Sequence, residues 1–210
     1  LRVSNAAKAL DEAAAVLSAG GVVVYPTETL YGLGVRADSQ AALEGLYSLK
    51  GREAGSGVSV LVAGLSAARS FVEGRIPGGG VSLAAEFWPG PLTMVMPAAA
   101  GLDPGLKGPT GGVALRCSSD PNAAGLLSVF GAPVTATSAN PAGQRPARNI
   151  AEALDYFGSS VGAYVDGGNR DQDNPSTVVE FLEGRAYLRR SGRITLEDLA
   201  RVVEIDGSQQ

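Results

Sequence analysis

GGVVVYPTETLYGLG, residues 20–34, is the stretch whose reading decides the fold of this chain. Its apolar run, Val22-Val23-Val24, shows no alternation with polar residues, which marks a strand buried on both faces. Pro26 lacks the N–H that a central ladder needs, so pairing is expected to stop there. Thr27, Glu28 and Thr29 then stand just past the strand end, where Gly32 and Gly34 would let a ligand approach the backbone. Open α/β sheets bind ligands at such strand ends. A turn capped by a threonine has the same appearance, so the stretch acquires meaning only from others like it.

Working outward, the spacing predicts a helix over 5–19 with Asn5 as N-cap, and a second from a cap at Asp38 to about Leu49. Strands are expected at 58–63, 93–96, 112–116, 134–137 and 163–165. Helices are expected at 66–73, 81–87 (after a turn at 77–80), 122–130 and 150–157. A hairpin of strands 176–181 and 186–189 turns at Glu183-Gly184, followed by a helix over 195–203 and a polar tail, 204–210. The Gly- and Pro-rich segment 103–112 is the candidate mobile loop. Alternating β and α units with some adjacent strand pairs give one α/β domain with a mixed sheet over residues 1–210, its core at about 5–195.

Composition narrows the chemistry. The chain has 210 residues, 45% hydrophobic and 18% charged, which is the profile of a globular protein with room for a sizeable core. No apolar run is long enough to span a bilayer and no signal-peptide pattern opens the chain, so no membrane partner and a cytoplasmic location are expected. Cys117 is the one cysteine, which excludes an intrachain disulfide. There is no histidine, so Ser-His-Asp and Cys-His catalysis and histidine-bearing zinc sites are excluded. Catalysis must rest on Lys, Arg, carboxylates, hydroxyls and backbone amides, with oxygen-bound Mg²⁺ compatible where phosphates supply most ligands. A net charge of −4 argues against nonspecific nucleic-acid binding by the whole surface, though not against a local basic patch.

Polar clusters recur at element ends. Lys50-Gly51-Arg52 follows a helix, where cations suit the dipole but also suit a phosphate clamp. Ser138 and Asn140, before Pro141, are donor and acceptor types that hold a ribose, phosphate or base edge, and equally form an Asx-turn. Arg116 emerges from an apolar strand, the usual setting of an arginine paired with a carboxylate of the protein or of a ligand. Asn174-Pro175-Ser176-Thr177 precedes another strand, and Arg189-Arg190 closes the last one. A regular strand sends Arg189 and Arg190 to opposite faces, so only one can serve a common site. Together these groups describe a site for an anionic, hydroxylated ligand without a nucleophile–base pair, as phosphoryl or nucleotidyl transfer requires. Neither the P-loop nor the Rossmann fingerprint is present.

In this order, YPTETLYGLG, LKGR, FWPGPLTMVMP, VALRC, TATSANPAG, PSTVVE and LRRSGRIT resemble the YrdC/TsaC family of threonylcarbamoyl-AMP synthases, over about residues 20–195. The resemblance implies a YrdC-like fold, a twisted mixed sheet flanked by helices with an open concave cleft, in the short form without an extra C-terminal domain. It implies condensation of L-threonine, bicarbonate and ATP to L-threonylcarbamoyladenylate and pyrophosphate, for t⁶A modification of tRNAs that read ANN codons. It assigns threonine to Thr29, Arg116 and Ser176, and ATP to Lys50, Arg52, Ser56, Ser138, Asn140 and Arg190. Mg²⁺ accompanies ATP with few or no protein ligands, tRNA and the t⁶A transferase machinery are indirect partners, and the protein is expected to be a monomer or weak dimer. Four positions depart from the family pattern: Ser56 stands in the run after KxR, Ala147 replaces a serine, Ser191 a proline, and Leu61 a histidine of some members. The alternatives are a YrdC-like RNA-binding module without catalysis, with Lys50, Arg52, Arg116 and Arg190 as its patch, and a carbamoyl-adenylate domain of a carbamoyltransferase.

Overall fold

In the computed structural model, which describes residues 6–52, 56–170 and 175–206, the strands divide into two mixed sheets where one was expected. Helix α1 (Ala6–Ser18) leads to a hairpin of β1 (Val23–Pro26) and β2 (Tyr31–Gly34), then to α2 (Gln40–Lys50). Next come β3 (Val60–Leu61), α3 (Leu65–Ala68), a 3-10 turn (Arg69–Phe71), α4 (Gly78–Phe87), β4 (Leu92–Pro97) and β5 (Gly112–Arg116). Helix α5 (Pro121–Phe130) precedes β6 (Val134–Thr135) and β7 (Thr137–Ser138). The chain finishes with α6 (Ile150–Phe157), β8 (Ala163–Tyr164), the hairpin β9 (Thr177–Leu182) and β10 (Arg185–Arg190), α7 (Leu196–Ala200) and β11 (Ile205–Asp206). The smaller sheet runs β7-β2-β1-β8 and the larger β11-β10-β9-β4-β5-β3-β6.

The run 134–137, expected as one strand, is divided because it serves both sheets. Val134 and Thr135 pair antiparallel with β3, whereas Thr137 and Ser138 pair antiparallel with β2. Between them the Ala136 N–H donates to the Ser59 carbonyl at 2.7 Å. Such a switch cannot be seen in periodicity, because Val134-Thr135-Ala136-Thr137-Ser138 shows no break between the residues of one sheet and those of the other.

The opening stretch is a hairpin. Pairing reaches Pro26, opposite Tyr31, and Thr27–Leu30 form the turn, in which the Thr27 hydroxyl donates to the Leu30 carbonyl at 2.7 Å. Gly32 and Gly34 lie inside β2: Gly32 borders a cavity, whereas the role of Gly34 is packing. A Cβ on Gly34 would stand 2.7 Å from the Tyr25 ring, 2.7 Å from Val134 Cγ1 and 2.8 Å from the Thr135 carbonyl oxygen. That space is closed because the Tyr25 ring is fully buried and its hydroxyl donates to the same carbonyl at 2.7 Å.

Other expectations shift for local reasons. Helix α2 is capped by Ser39, whose hydroxyl accepts from the Ala42 N–H, while Asp38 turns to Arg36. The Asn5 cap lies outside the described residues, as do positions 53–55, Asn174 and 207–210. Segment 103–112 is tied down: Leu106 is buried in the core and the Tyr47 hydroxyl donates to the Gly105 carbonyl at 2.7 Å. The Glu183-Gly184 turn has both residues at positive φ, 51° and 79°, as a tight hairpin requires. In the tail, Ile205 and Asp206 add a short parallel strand beside β10.

The larger core packs Leu92, Met94, Met96, Val113, Leu115 and Val179 between the larger sheet and its helices. A second cluster, with Leu17, Val23, Tyr25, Leu126 and Val134, lies under α1 and α5. Adding one methyl where two sheets and a tyrosine converge forces displacement of all three. Gly34→Ala is therefore expected to lower unfolding stability by about 1–3 kcal/mol. Urea denaturation measures this, and an unchanged midpoint would contradict the packing reading.

Candidate functional site

A cavity of about 550 Å³ opens where the two sheets meet. The tip of the β1–β2 hairpin supplies Thr27, Thr29 and Leu30, and the segment after α2 supplies Arg52, Gly57 and Ser59. Thr93, Arg116, Ser138, Ser176 and Arg190 enter from strand ends, and the loop before α6 adds Arg145 and Arg148. Five arginines and a ring of hydroxyls thus line it, with no carboxylate among the described lining residues.

The six sequence-selected residues Thr29, Arg52, Arg116, Ser138, Ser176 and Arg190 all reach this cavity, although 161 positions separate the first and last of them (190 − 29). Arg116 leaves β5 beside Thr93 of β4, and one terminal nitrogen, Nη2, donates to Thr29 Oγ1 at 2.9 Å. The same nitrogen stands 2.9 Å from Glu28 Oε1. Burial drives the Glu28 carboxyl upward, but the Arg116 charge and the Ser118 and Arg116 contacts outweigh it and hold the group below the usual carboxylate value. Arg190 donates from Nε and Nη2 to the Ser176 carbonyl at 3.1 and 2.9 Å, and from Nη2 to its hydroxyl at 3.0 Å. The Ser176 hydroxyl also bonds Thr93 at 2.8 Å. Burial and the nearby Arg116 charge lower the Arg190 pKa. Arg189 turns away to Glu180 at 2.5 Å, and the two adjacent arginines separate at a register shift between Leu188 and Arg190, where the strand is not regular.

The other three selected residues stand behind the wall. The Lys50 ammonium, 4% exposed, donates to the carbonyls of Ser138 (2.5 Å) and Asn140 (2.7 Å). Its own carbonyl accepts from the Ala142 N–H at 2.7 Å, so Lys50 staples the SAN segment from both sides. Burial, then the Arg52 charge, pushes its pKa down to about 8. Asn140 accepts from the Ser138 hydroxyl and donates to the Pro141 and Gln144 carbonyls at 3.0 and 2.8 Å, closing a turn. Ser56 presents its carbonyl to Arg52 at 3.0 Å and its side chain to Tyr47.

Arg145 and Arg148 were missed by sequence reasoning. Their signal was the QRPAR run directly after SANPAG, two cations around a proline in a loop already assigned to the site. Thr93 was legible as the one hydroxyl inside the buried run LTMVM. Gly192 was not: a Cβ there would meet the Pro175 carbonyl at 2.4 Å and Thr177 N at 2.5 Å, so only glycine lets the chain leaving Arg190 pass against Ser176. Of the departures, Ala147 and Leu61 are fully buried and Ser191 is exposed.

The Sua5/YciO/YrdC family model, described as "Telomere recombination", matches residues 15–192. The threonylcarbamoyl-AMP synthase of Halorhodospira halophila is 38% identical over 178 residues, covering 85% of this chain and 92% of its own length. That of Cellvibrio japonicus is 38% identical over 177 residues, covering 84% and 93%. The structure of P. abyssi Sua5 complexed with L-threonine has a TM-score of 0.89 at 29% identity, over 98% of this chain and 61% of the Sua5 chain. E. coli YciO shares the fold, with a TM-score of 0.82 at 22% identity over 93% and 95% of the two chains. This chain belongs to the Sua5/YciO/YrdC family.

Proposed function

We propose that this protein is an L-threonylcarbamoyladenylate synthase, a nucleotidyltransferase that joins L-threonine, bicarbonate and ATP. One observation carries the reading: two arginine–hydroxyl pairs, Arg116–Thr29 and Arg190–Ser176, joined through Thr93, line one cavity that holds five guanidinium groups. The names of the relatives and the threonine complex of P. abyssi Sua5 support it. Threonine amine and bicarbonate condense to a carbamate and water. A carbamate oxygen then forms a bond to the α-phosphorus of ATP as the bond from that phosphorus to the bridging oxygen breaks, and pyrophosphate leaves with the electron pair. No histidine or nucleophilic side chain is needed, since positioning and charge neutralisation supply the catalysis.

In this reading Arg116 takes the threonine carboxylate, with Thr29 and Ser176 around the amino acid. Arg52, Ser138 and Arg190 hold ATP, while Lys50 and Asn140 act by shaping the Ser138 turn and Ser56 by holding Arg52. The cavity donors are guanidinium and hydroxyl groups, and no trio of carboxylates or thiols among the described residues could hold a metal. Mg²⁺ therefore fits as an ion carried in by the phosphates, whose charge it screens. The reaction belongs in the cytoplasm beside tRNA and the t⁶A machinery, and no described helix is long and apolar enough to cross a membrane. The cations invoked for an RNA-binding module, Arg52, Arg116 and Arg190, line the cavity, where they suit a small anion better than a duplex.

Purified protein with L-threonine, bicarbonate, Mg²⁺ and ATP should release pyrophosphate, and ATP turnover independent of threonine would refute the assignment. Arg116→Lys should raise the threonine KM roughly 10–100-fold, the loss of a charge-assisted hydrogen bond, with the ATP KM little changed. Arg190→Lys should weigh on ATP instead; equal losses of both substrates in both variants would overturn the division of roles.

Lys50 supplies a pH test. Its folded pKa of about 8 lies below its ordinary value of 10.5, so between these pH values the folded protein binds fewer protons than the unfolded chain. Unfolding free energy therefore rises with pH across that window; the contribution is complete above the upper value and lost as pH falls through the lower. The wild-type urea midpoint, taken relative to Lys50→Met, should climb from pH 8 to pH 10.5. Parallel midpoints would show that the ammonium is not desolvated.

A further inference from the structure

The cavity must hold a polyphosphate and an amino acid together, yet its guanidinium groups would grip phosphate and carboxylate alike. Arg116 differs from Arg52 and Arg190. Arg52 and Arg190 bond neutral oxygens of Ser56 and Ser176, whereas Arg116 Nη2 stands 2.9 Å from a carboxylate oxygen of Glu28. That carboxylate is fixed in place. Its side chain is 12% exposed, the Ser118 hydroxyl donates to Oε2, and Arg193 Nη1 donates to the Glu28 carbonyl at 2.7 Å. Arg116 and Ser118 leave the same end of β5, so one short segment both presents the cation and holds its counter-ion.

We propose that Glu28 is a specificity-determining residue that keeps phosphate out of the Arg116 subsite and reserves that guanidinium for a singly charged carboxylate. The inference rests on the reading of Arg116 as the amino-acid anchor. A fixed negative charge beside the cation subtracts from the attraction of any anion, and it repels a phosphate dianion twice as strongly as a monocarboxylate at the same place. Discrimination therefore grows with ligand charge, and it is achieved by a repulsive element as much as by an attractive one. Without Glu28, Arg116 becomes one more phosphate site in a cavity already rich in them, and the products and nucleotide of the reaction would compete with the amino acid.

The test is calorimetric titration of the intact protein with L-threonine and with inorganic phosphate, separately and in competition. In the wild type, phosphate at millimolar concentration should leave threonine affinity unchanged. E28Q should gain phosphate affinity by about tenfold, and phosphate should then displace threonine. E28D, which keeps the charge, should exclude phosphate as the wild type does even where threonine binds less well. A residue that merely props Arg116 would weaken threonine binding in E28Q without creating phosphate competition, and that result would overturn the proposal. Displacement of threonine by phosphate in the wild type would overturn it too, even if E28Q failed to fold. Should threonine bind to none of the proteins, the amino-acid reading fails, while a phosphate site gained in E28Q would still support the exclusion by Glu28.

Discussion

The segment around Ala136 must satisfy two sheets at once, and the site exists because it does. Val134 and Thr135 complete the larger sheet against β3, and two residues later Thr137 and Ser138 complete the smaller against β2. A backbone that changes partners leaves a gap between its two ladders, and buried N–H and C=O groups in that gap need other partners. Here they find them: Ser59 takes the Ala136 N–H, Tyr25 bonds the Thr135 carbonyl, and Lys50 bonds the Ser138 carbonyl. The cavity is the space that this crossing opens, which is why its walls come from so many parts of the chain.

The charges divide between building and binding. Lys50 is consumed by carbonyls, Arg189 by Glu180, and Arg170 by Asp120 at 2.7 Å while lying over the Tyr31 ring. Removing one partner of such a buried pair leaves an uncompensated charge, at a cost of about 3–5 kcal/mol. Arg52, Arg116, Arg145, Arg148 and Arg190 instead reach the cavity. Crowding cations in one concave space is unfavourable for the empty protein; burial first, and the Arg116 charge second, lower the Arg190 pKa. An anionic ligand reverses that sign, so part of the binding free energy is stored as repulsion in the fold.

Glycine explains much of the shape, and at Gly34 and Gly192 for a different reason than ligand access. Gly34 lets Tyr25 lie flat under the hairpin, and Gly192 lets the segment after β10 touch the backbone of Ser176. Each brings two elements closer than any side chain would allow, and each is one step removed from a residue that lines the cavity.

Local chemistry alone was enough to read most elements: the two-face apolar strands, the helices at 6–18 and 150–157 and the Glu183-Gly184 turn follow from periodicity and dihedral limits. Hydroxyls and cations at strand and helix ends are legible in the same way, while the choice of the six that converge on the cavity came with the family resemblance. What only the tertiary structure decided was pairing and role. Ala136 divides the continuous run from Val134 to Ser138 between two sheets, and the absence of side-chain signal at a partner change hides this from the sequence. Lys50 looks like a phosphate clamp until two carbonyls from 88 and 90 positions away claim its protons. Glu28 looks like one more turn carboxylate until Arg116 and Ser118 arrive from the end of β5. The sequence determined which chemical groups the site contains; long-range contacts determined which of them face the cavity and which hold it in place.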